Sequence, residues 1–325
     1  MENELTAEKK SLSLYLSALL SSLFFAGSLF VPVLIGIVLL ILSPLPLLWV
    51  YLNSGSRGGR QACLLALLTV LALVYFNFSI IAGLPFLFFA ALAAGAGESM
   101  NRGGNRLQML IWGAICPAAV NIAYFVGLAW YSGQDVQAFW NSYWAVQVDN
   151  WNSTLAQPGL AADWEETRRN LYRLGSALFN LAISISLINF MFITWINLFF
   201  LNRLSRRAKA AKNLPYESLS SWRSPFYLVW ILPGAALLVG ISDGFVYWLG
   251  LNILLLTCAV YWFHGLAVAA CLCDRKNVPP WLRILFLLVM VFVIYLSALT
   301  VLLGLSDAWF NWRKIKPSTD NPGGI

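Results

Sequence analysis

The chain has 325 residues, of which 60% are hydrophobic and only 11% charged, with a formal net charge of +7. Soluble domains carry about 25% charged residues, so this balance excludes an ordinary cytosolic fold. Seven stretches contain no Asp, Glu, Lys or Arg: 11–56, 61–97, 107–134, 174–202, 224–242, 244–273 and 284–306. A helix needs roughly 20 apolar residues to cross the hydrocarbon core. The chain therefore reads as all-α, a polytopic transmembrane helical bundle. A β-barrel would alternate in polarity over segments of about ten residues, whereas 64–75 is apolar on every face. The positive charge sits in short loops, as the positive-inside rule requires, and implies no nucleic-acid partner.

Residues 11–56 are too long for one span, and Val31-Pro32 supplies a turn between spans near 12–30 and 33–52. Lys9 and Lys10 precede an apolar run that continues past Ala26-Gly27-Ser28, the pattern of a signal anchor. The second span contains Ser43-Pro44-Leu45-Pro46. Two prolines remove two backbone donors, so a broken helix is expected, with protein or a cavity meeting the freed carbonyls.

Residues 61–97 suit two spans parted at Gly83-Leu84-Pro85. The second piece has small residues four apart, Ala91 with Gly95 and Ala93 with Gly97, which let helices approach closely. The next span covers 107–131 and is interrupted at Cys116-Pro117.

Residues 132–173 form the one sizeable polar segment and hold Trp140, Trp144, Trp151 and Trp164. Tryptophan favours the membrane interface. One or two amphipathic helices on the outer surface are expected, with a turn at Gln157-Pro158-Gly159. A span over 174–201 follows. Arg203, Arg206, Arg207, Lys209, Lys212 and Arg223 then mark the 203–223 connector as cytoplasmic. Counting back puts the Trp-rich segment outside and the N-terminus inside.

In the last third, 225–242 is short and interrupted at Pro233-Gly234. As a span, it puts Arg275, Lys276 and Arg283 inside and Arg313, Lys314 and Lys316 outside. As a re-entrant element, it swaps the two groups. The interfacial character of Trp309 to Lys314 favours a cytoplasmic C-terminus, with about eight spans (between seven and nine) and one re-entrant piece. The whole of 1–325 reads as a single integral membrane domain ending in a disordered tail at 317–325.

Polar side chains are costly in lipid, so those within the spans are functional candidates. Asn189, Asn197, Asp243, Asn252 and His264 are the candidate ligand-binding residues. Asn121 and Asn180 share their setting. For the asparagines the competing reading is interhelical hydrogen bonding, worth roughly 0.6–2 kcal/mol each. Asp243 either caps a helix at the outer surface or lines a cavity. His264, the only histidine, reads as a hydrogen-bonding residue rather than a proton relay. The five cysteines lie in apolar segments without metal-ligand spacing. With no cluster of His, Asp or Glu, no enzymatic chemistry, metal or cofactor is expected.

Several short blocks carry a family resemblance. They are Trp230-Ile231-Leu232-Pro233, then Asn252 leading to His264-Gly265-Leu266-Ala267-Val268, then Leu303-Gly304-Leu305-Ser306-Asp307-Ala308-Trp309-Phe310-Asn311-Trp312-Arg313-Lys314. Pro44-Leu45-Pro46 and Gly55 add to them. The chain resembles the YybS-like family of bacterial membrane proteins, with Gly304, Asp307, Trp309 and Arg313 as motif residues. The resemblance implies an inner-membrane protein distantly similar to the S subunits of energy-coupling-factor vitamin importers. Those subunits bind a small molecule among helices and dock on an ATPase module. This chain has no Walker-type phosphate loop, so ATP use would need a separate ATPase module or another membrane protein as partner. The expected function is small-molecule binding or transport in the lipid bilayer. The alternative is a membrane scaffold or assembly protein without a ligand, using the connector and the Trp-rich segment as contact surfaces.

Overall fold

The computed structural model describes residues 2–77, 83–155, 161–207 and 227–313. Among the described residues there are twelve helices and no strand. Contacts divide the chain into two compact units, Met1–Pro215 and Tyr216–Ile325. The turn expected at Gln157-Pro158-Gly159, most of the 203–223 connector and the 317–325 tail lie outside the described residues.

The first unit holds α1 (Glu2–Ser28), α2 (Val33–Leu42), α3 (Pro44–Asn77), α4 (Phe86–Asn101), α5 (Arg106–Tyr131), α6 (Val136–Leu155), α7 (Ala161–Asn180) and α8 (Ala182–Arg207). α3 packs between α1 and α4, and α5 between α4 and α8. Their shared core includes Leu47, Leu48, Tyr51, Ala66, Phe86, Leu92, Ala93 and Ala96. Large apolar residues such as Leu34, Leu64 and Leu68 face outward, as expected where lipid is the solvent.

Small residues set the close approaches. Gly95 of α4 lies against the Trp112 carbonyl of α5, with no room for a Cβ. Gly113 of α5 meets Thr194 of α8, where an added Cβ would sit 2.6 Å from Thr194 Cγ2. Gly55 adopts φ 74°, ψ −172°, a region essentially confined to glycine. The chain folds back there, so that Gly59 and Gly97 both face the Tyr51 ring without space for a side chain.

The prolines behave differently at different sites. At Ser43-Pro44 the helix breaks, and the carbonyls around the break find side-chain donors. Asn197 Nδ2 donates to Ile41 O (2.8 Å), and Ser21 Oγ to Ser43 O (2.6 Å). At Cys116-Pro117 the expected interruption is absent, and α5 runs through. Pro117 leaves the Gly113 carbonyl, four residues earlier, without its helical donor. Thr194 Oγ1 donates to that carbonyl at 3.0 Å. In the second unit α9 likewise runs through Pro233.

α6 and α7 form a hairpin joined by tryptophans. Trp140 Nε1 donates to Gly175 O (2.9 Å) and Trp144 Nε1 to Leu171 O (2.8 Å). The two indoles stack at 6.0 Å. These side chains tie two helices together, a role beyond the interfacial one expected of them.

The second unit holds α9 (Leu228–Ile241), α10 (Gly244–Arg275), α11 (Pro280–Phe292) and α12 (Ile294–Phe310). α9 and α12 pack on α10. α11 and α12 meet at a bend of 101°, where Val293 is extended.

Among the described residues, five helical stretches are long and apolar enough to cross a membrane, or six if the bent pair forms one span. The expectation of about eight differs because α4 and α9, at 16 and 14 residues, are short, and Val33–Tyr75 forms one stretch of 43 residues. That stretch folds back at Gly55, so its limbs 33–54 and 56–75 are each about one crossing long, roughly 20 residues.

Candidate functional site

The second unit buries a histidine, an aspartate and an arginine against one another. α10 brings His264 and α12 brings Asp307. The helices can meet closely because Gly265 and Gly304 lie in the crossing. A side chain on Gly265 would collide with the Thr300 carbonyl, and one on Gly304 with the Tyr261 carbonyl. Asp307 follows Gly304 by three residues and so falls on the same helix face. His264 Nε2 lies 2.9 Å from Asp307 Oδ2.

Arg313 reaches the pair because the chain reverses after α12. Asn311 takes the left-handed conformation (φ 43°, ψ 52°), and its N–H donates to Asp307 O. Asparagine tolerates this region better than most residues. Arg313 Nε donates to Asp307 Oδ2 at 2.9 Å, and its backbone N–H to Asp307 Oδ1 at 3.3 Å. Arg313 Nη2 lies 2.9 Å from Asp307 Oδ2 and 2.7 Å from His264 Nε2. The three side chains are 3%, 3% and 0% exposed, too little for solvent to screen their charges. Arg275, at the end of α10, closes the turn by donating to the carbonyls of Trp312 (3.1 Å) and Arg313. With His264 neutral, the cluster carries one cation and one anion. Removing one partner of such a buried pair typically costs about 3–5 kcal/mol.

The first unit contains a half-open cavity of about 360 Å³ between α5, α6, α7 and α8. Its aromatic wall is Phe125, Trp140 and Phe179, with Trp140 6.1 Å from each of the other two rings. Asn121, Asn180 and Ser186 supply polar groups, and no charged residue lines it. The volume lies in the range of small-molecule sites, roughly 300–1,000 Å³.

A family model described as "Predicted membrane protein (DUF2232)" matches residues 19–308. The chain belongs to the DUF2232 family. The match covers nearly all of the first unit and extends through His264, Gly304 and Asp307, with Arg313 just beyond its end. No curated protein and no solved structure matches the chain.

The residues singled out in this DUF2232 chain divide between the two units. Asn189 is exposed on α8. Asn197, buried on the same helix, donates to Ile41 O and Ile193 O, both at 2.8 Å. Asp243 is exposed at the N-terminus of α10 and makes no capping bond. Asn252 donates to Trp248 O within α10. His264 alone of the five joins the buried cluster, with Asp307 and Arg313 of the motif. Gly304 shapes the crossing, and Trp309 is 55% exposed, away from the cluster. None of the five lines the cavity, whereas Asn121 and Asn180 do. Sequence reasoning missed Arg275 and the aromatic wall. The pairing of a small residue with a polar one, in His264-Gly265 and Gly304-x-x-Asp307, was the available signal for the cluster. Among the described residues no group of three or more His, Cys, Asp or Glu could hold a metal ion.

Proposed function

We propose that this protein is a bacterial inner-membrane protein that binds a neutral small molecule in the cavity of its first unit. The cavity itself carries the reading: about 360 Å³, walled by three aromatic rings, with two amides and a hydroxyl among its lining groups. A charged ligand would meet no counter-charge there. A neutral molecule with a ring and a hydrogen-bonding group would stack on Trp140 and pair with an amide. The resemblance to importer S subunits read from the sequence motifs would imply the same role, with energy for transport supplied by a separate ATPase module. The positive-inside rule puts the N-terminus in the cytoplasm.

Native mass spectrometry of protein purified gently from its own membrane tests the reading. A bound neutral molecule small enough for the cavity is expected. Protein that carries no such molecule, but retains a stoichiometric protein partner other than an ATPase, would favour the scaffold alternative.

A further inference from the structure

We infer that the cavity of the first unit opens sideways into the bilayer, so that its ligand is a neutral lipophile that arrives from lipid rather than from water. This rests on the reading of the cavity as a binding site and names the class of molecule it takes. α5 lines the cavity with two neighbouring rows, Asn121 with Phe125 and Ile122 with Val126, each pair one helical turn apart. The first row is half-buried, whereas Ile122 and Val126 are 43% and 46% exposed. α8 repeats the arrangement, with Ser186 half-buried and Ile183 56% exposed. The exposed part of the lining on α5 and α8 is therefore aliphatic. Both helices are long and apolar enough to cross a membrane. Ile122 and Val126 fall inside the charge-free stretch 107–134, and Ile183 inside 174–202. Aliphatic side chains exposed at such positions face hydrocarbon rather than water.

Towards the α6–α7 hairpin the wall is closed by rings. Trp140 of α6 lies 6.1 Å from Phe125 of α5 and from Phe179 of α7. Its indole N–H is committed to Gly175 O at 2.9 Å, so the residue offers a ligand ring surface and not a donor. Asn180 Nδ2 donates to Ser176 O, also at 2.9 Å. Eight of the eleven lining residues are apolar, so the cavity can replace few of the hydrogen bonds that a polar solute makes with water. A polar group stripped of water without a new partner is costly. A molecule already dissolved in lipid has little such water to lose, and its partition into the bilayer raises its concentration at the opening. The ligand that fits has an apolar ring or chain and one hydrogen-bonding end for Asn121 or Ser186.

Collision rates of a nitroxide test the opening. Ser186→Cys of the full chain, in a cysteine-free background, is spin-labelled and placed in lipid nanodiscs. It is compared with Leu68→Cys, at a position exposed on α3, and with Gln137→Cys, at one exposed on α6. Molecular oxygen concentrates in lipid, whereas a neutral nickel chelate stays in water. The ratio of oxygen to nickel collisions at 186 is expected to match that at 68 and to exceed that at 137 several-fold. A label at 186 that meets nickel as the one at 137 does, or that neither reagent reaches, would overturn the inference. Occupancy is read with a neutral aryl diazirine dissolved in the bilayer. Photolysis should label Trp140 or Phe179 in the wild type and several-fold less in folded Ser186→Trp, with labelling around Leu68 unchanged. Equal labelling of these rings in both proteins would also overturn it. A polar, water-soluble molecule retained in native mass spectrometry would defeat the lipid route and leave the binding reading standing. Wild-type protein with no retained molecule and no diazirine label in the cavity would remove the binding reading itself.

Discussion

Arg275 donates from its guanidinium to the backbone carbonyl of Arg313. The two residues therefore sit within a side chain's reach of each other, far less than the roughly 30 Å of a hydrocarbon core. Reading the sequence alone separates them, because both treatments of 225–242 put the groups around Arg275 and Arg313 on opposite sides. The structure instead bends the segment between Trp281 and Phe310 by 101°, and a segment so bent that also brings Arg313 to Arg275 is expected to return to the side it left. We propose that the re-entrant element is the α11–α12 pair. Single cysteines at Asn277 and Asn311, both exposed, placed in a cysteine-free background, should be labelled by an impermeant reagent from the same side. By the positive-inside rule that side is the cytoplasm. Labelling from opposite sides would show that α11 and α12 cross as one span.

The α10–α12 crossing makes a sharp demand on residue size. Gly304→Leu or Gly265→Leu should lower thermal stability in detergent, since overpacking a close-packed site costs about 1–3 kcal/mol or more. Gly240→Leu is the control, because nothing lies within 4 Å of a Cβ there. Equal melting temperatures for Gly304→Leu and Gly240→Leu would show that the crossing is looser than described.

Thr194 and Pro117 form a testable pair. Thr194→Val should destabilise the first unit by about 1–2 kcal/mol by leaving the Gly113 carbonyl without a donor. Pro117→Ala restores the helical N–H that reaches the same carbonyl. The threonine substitution should then cost much less in the Pro117→Ala background. A double-mutant cycle on unfolding free energies measures the difference. Strict additivity would mean that Thr194 does not replace the missing donor.

Charge-free runs and small-residue spacing made the helical membrane class legible from sequence. The proline pair at Pro44 and Pro46 marked the place where α2 ends and α3 begins, although Ser43, between the two helices, keeps helical backbone angles. Pro117 looked like a break and is none, because its rescue comes from Thr194 on another helix, and no local pattern records a contact between Gly113 and a residue 81 positions further along the chain. The cluster was half legible for a similar reason. His264, Asp307 and Arg313 could each be singled out, but their meeting depends on the Gly265–Gly304 crossing and on the left-handed turn at Asn311. The cavity was less legible still. Its polar residues stood out as asparagines in apolar runs, whereas its aromatic wall is built from residues that look like ordinary lipid-facing or interfacial rings.

The α6–α7 hairpin should depend on its indole donors. Trp144→Phe keeps the ring but removes the hydrogen bond to Leu171 O, a loss of about 1 kcal/mol. Trp144→Ala also empties the space against Gly175 and should cost about 3–5 kcal/mol. Limited proteolysis within 156–160 would register both, with the alanine variant cut faster. Equal cutting of the two variants and the wild type would show that Trp144 does not hold the hairpin.

The most direct test of the account is native mass spectrometry of the wild type beside Ser186→Trp, which places an indole in the cavity of the first unit. The account predicts that a neutral small molecule accompanies the wild type and is lost from the folded variant. The same molecule retained equally by both proteins, or absent from both, would contradict it.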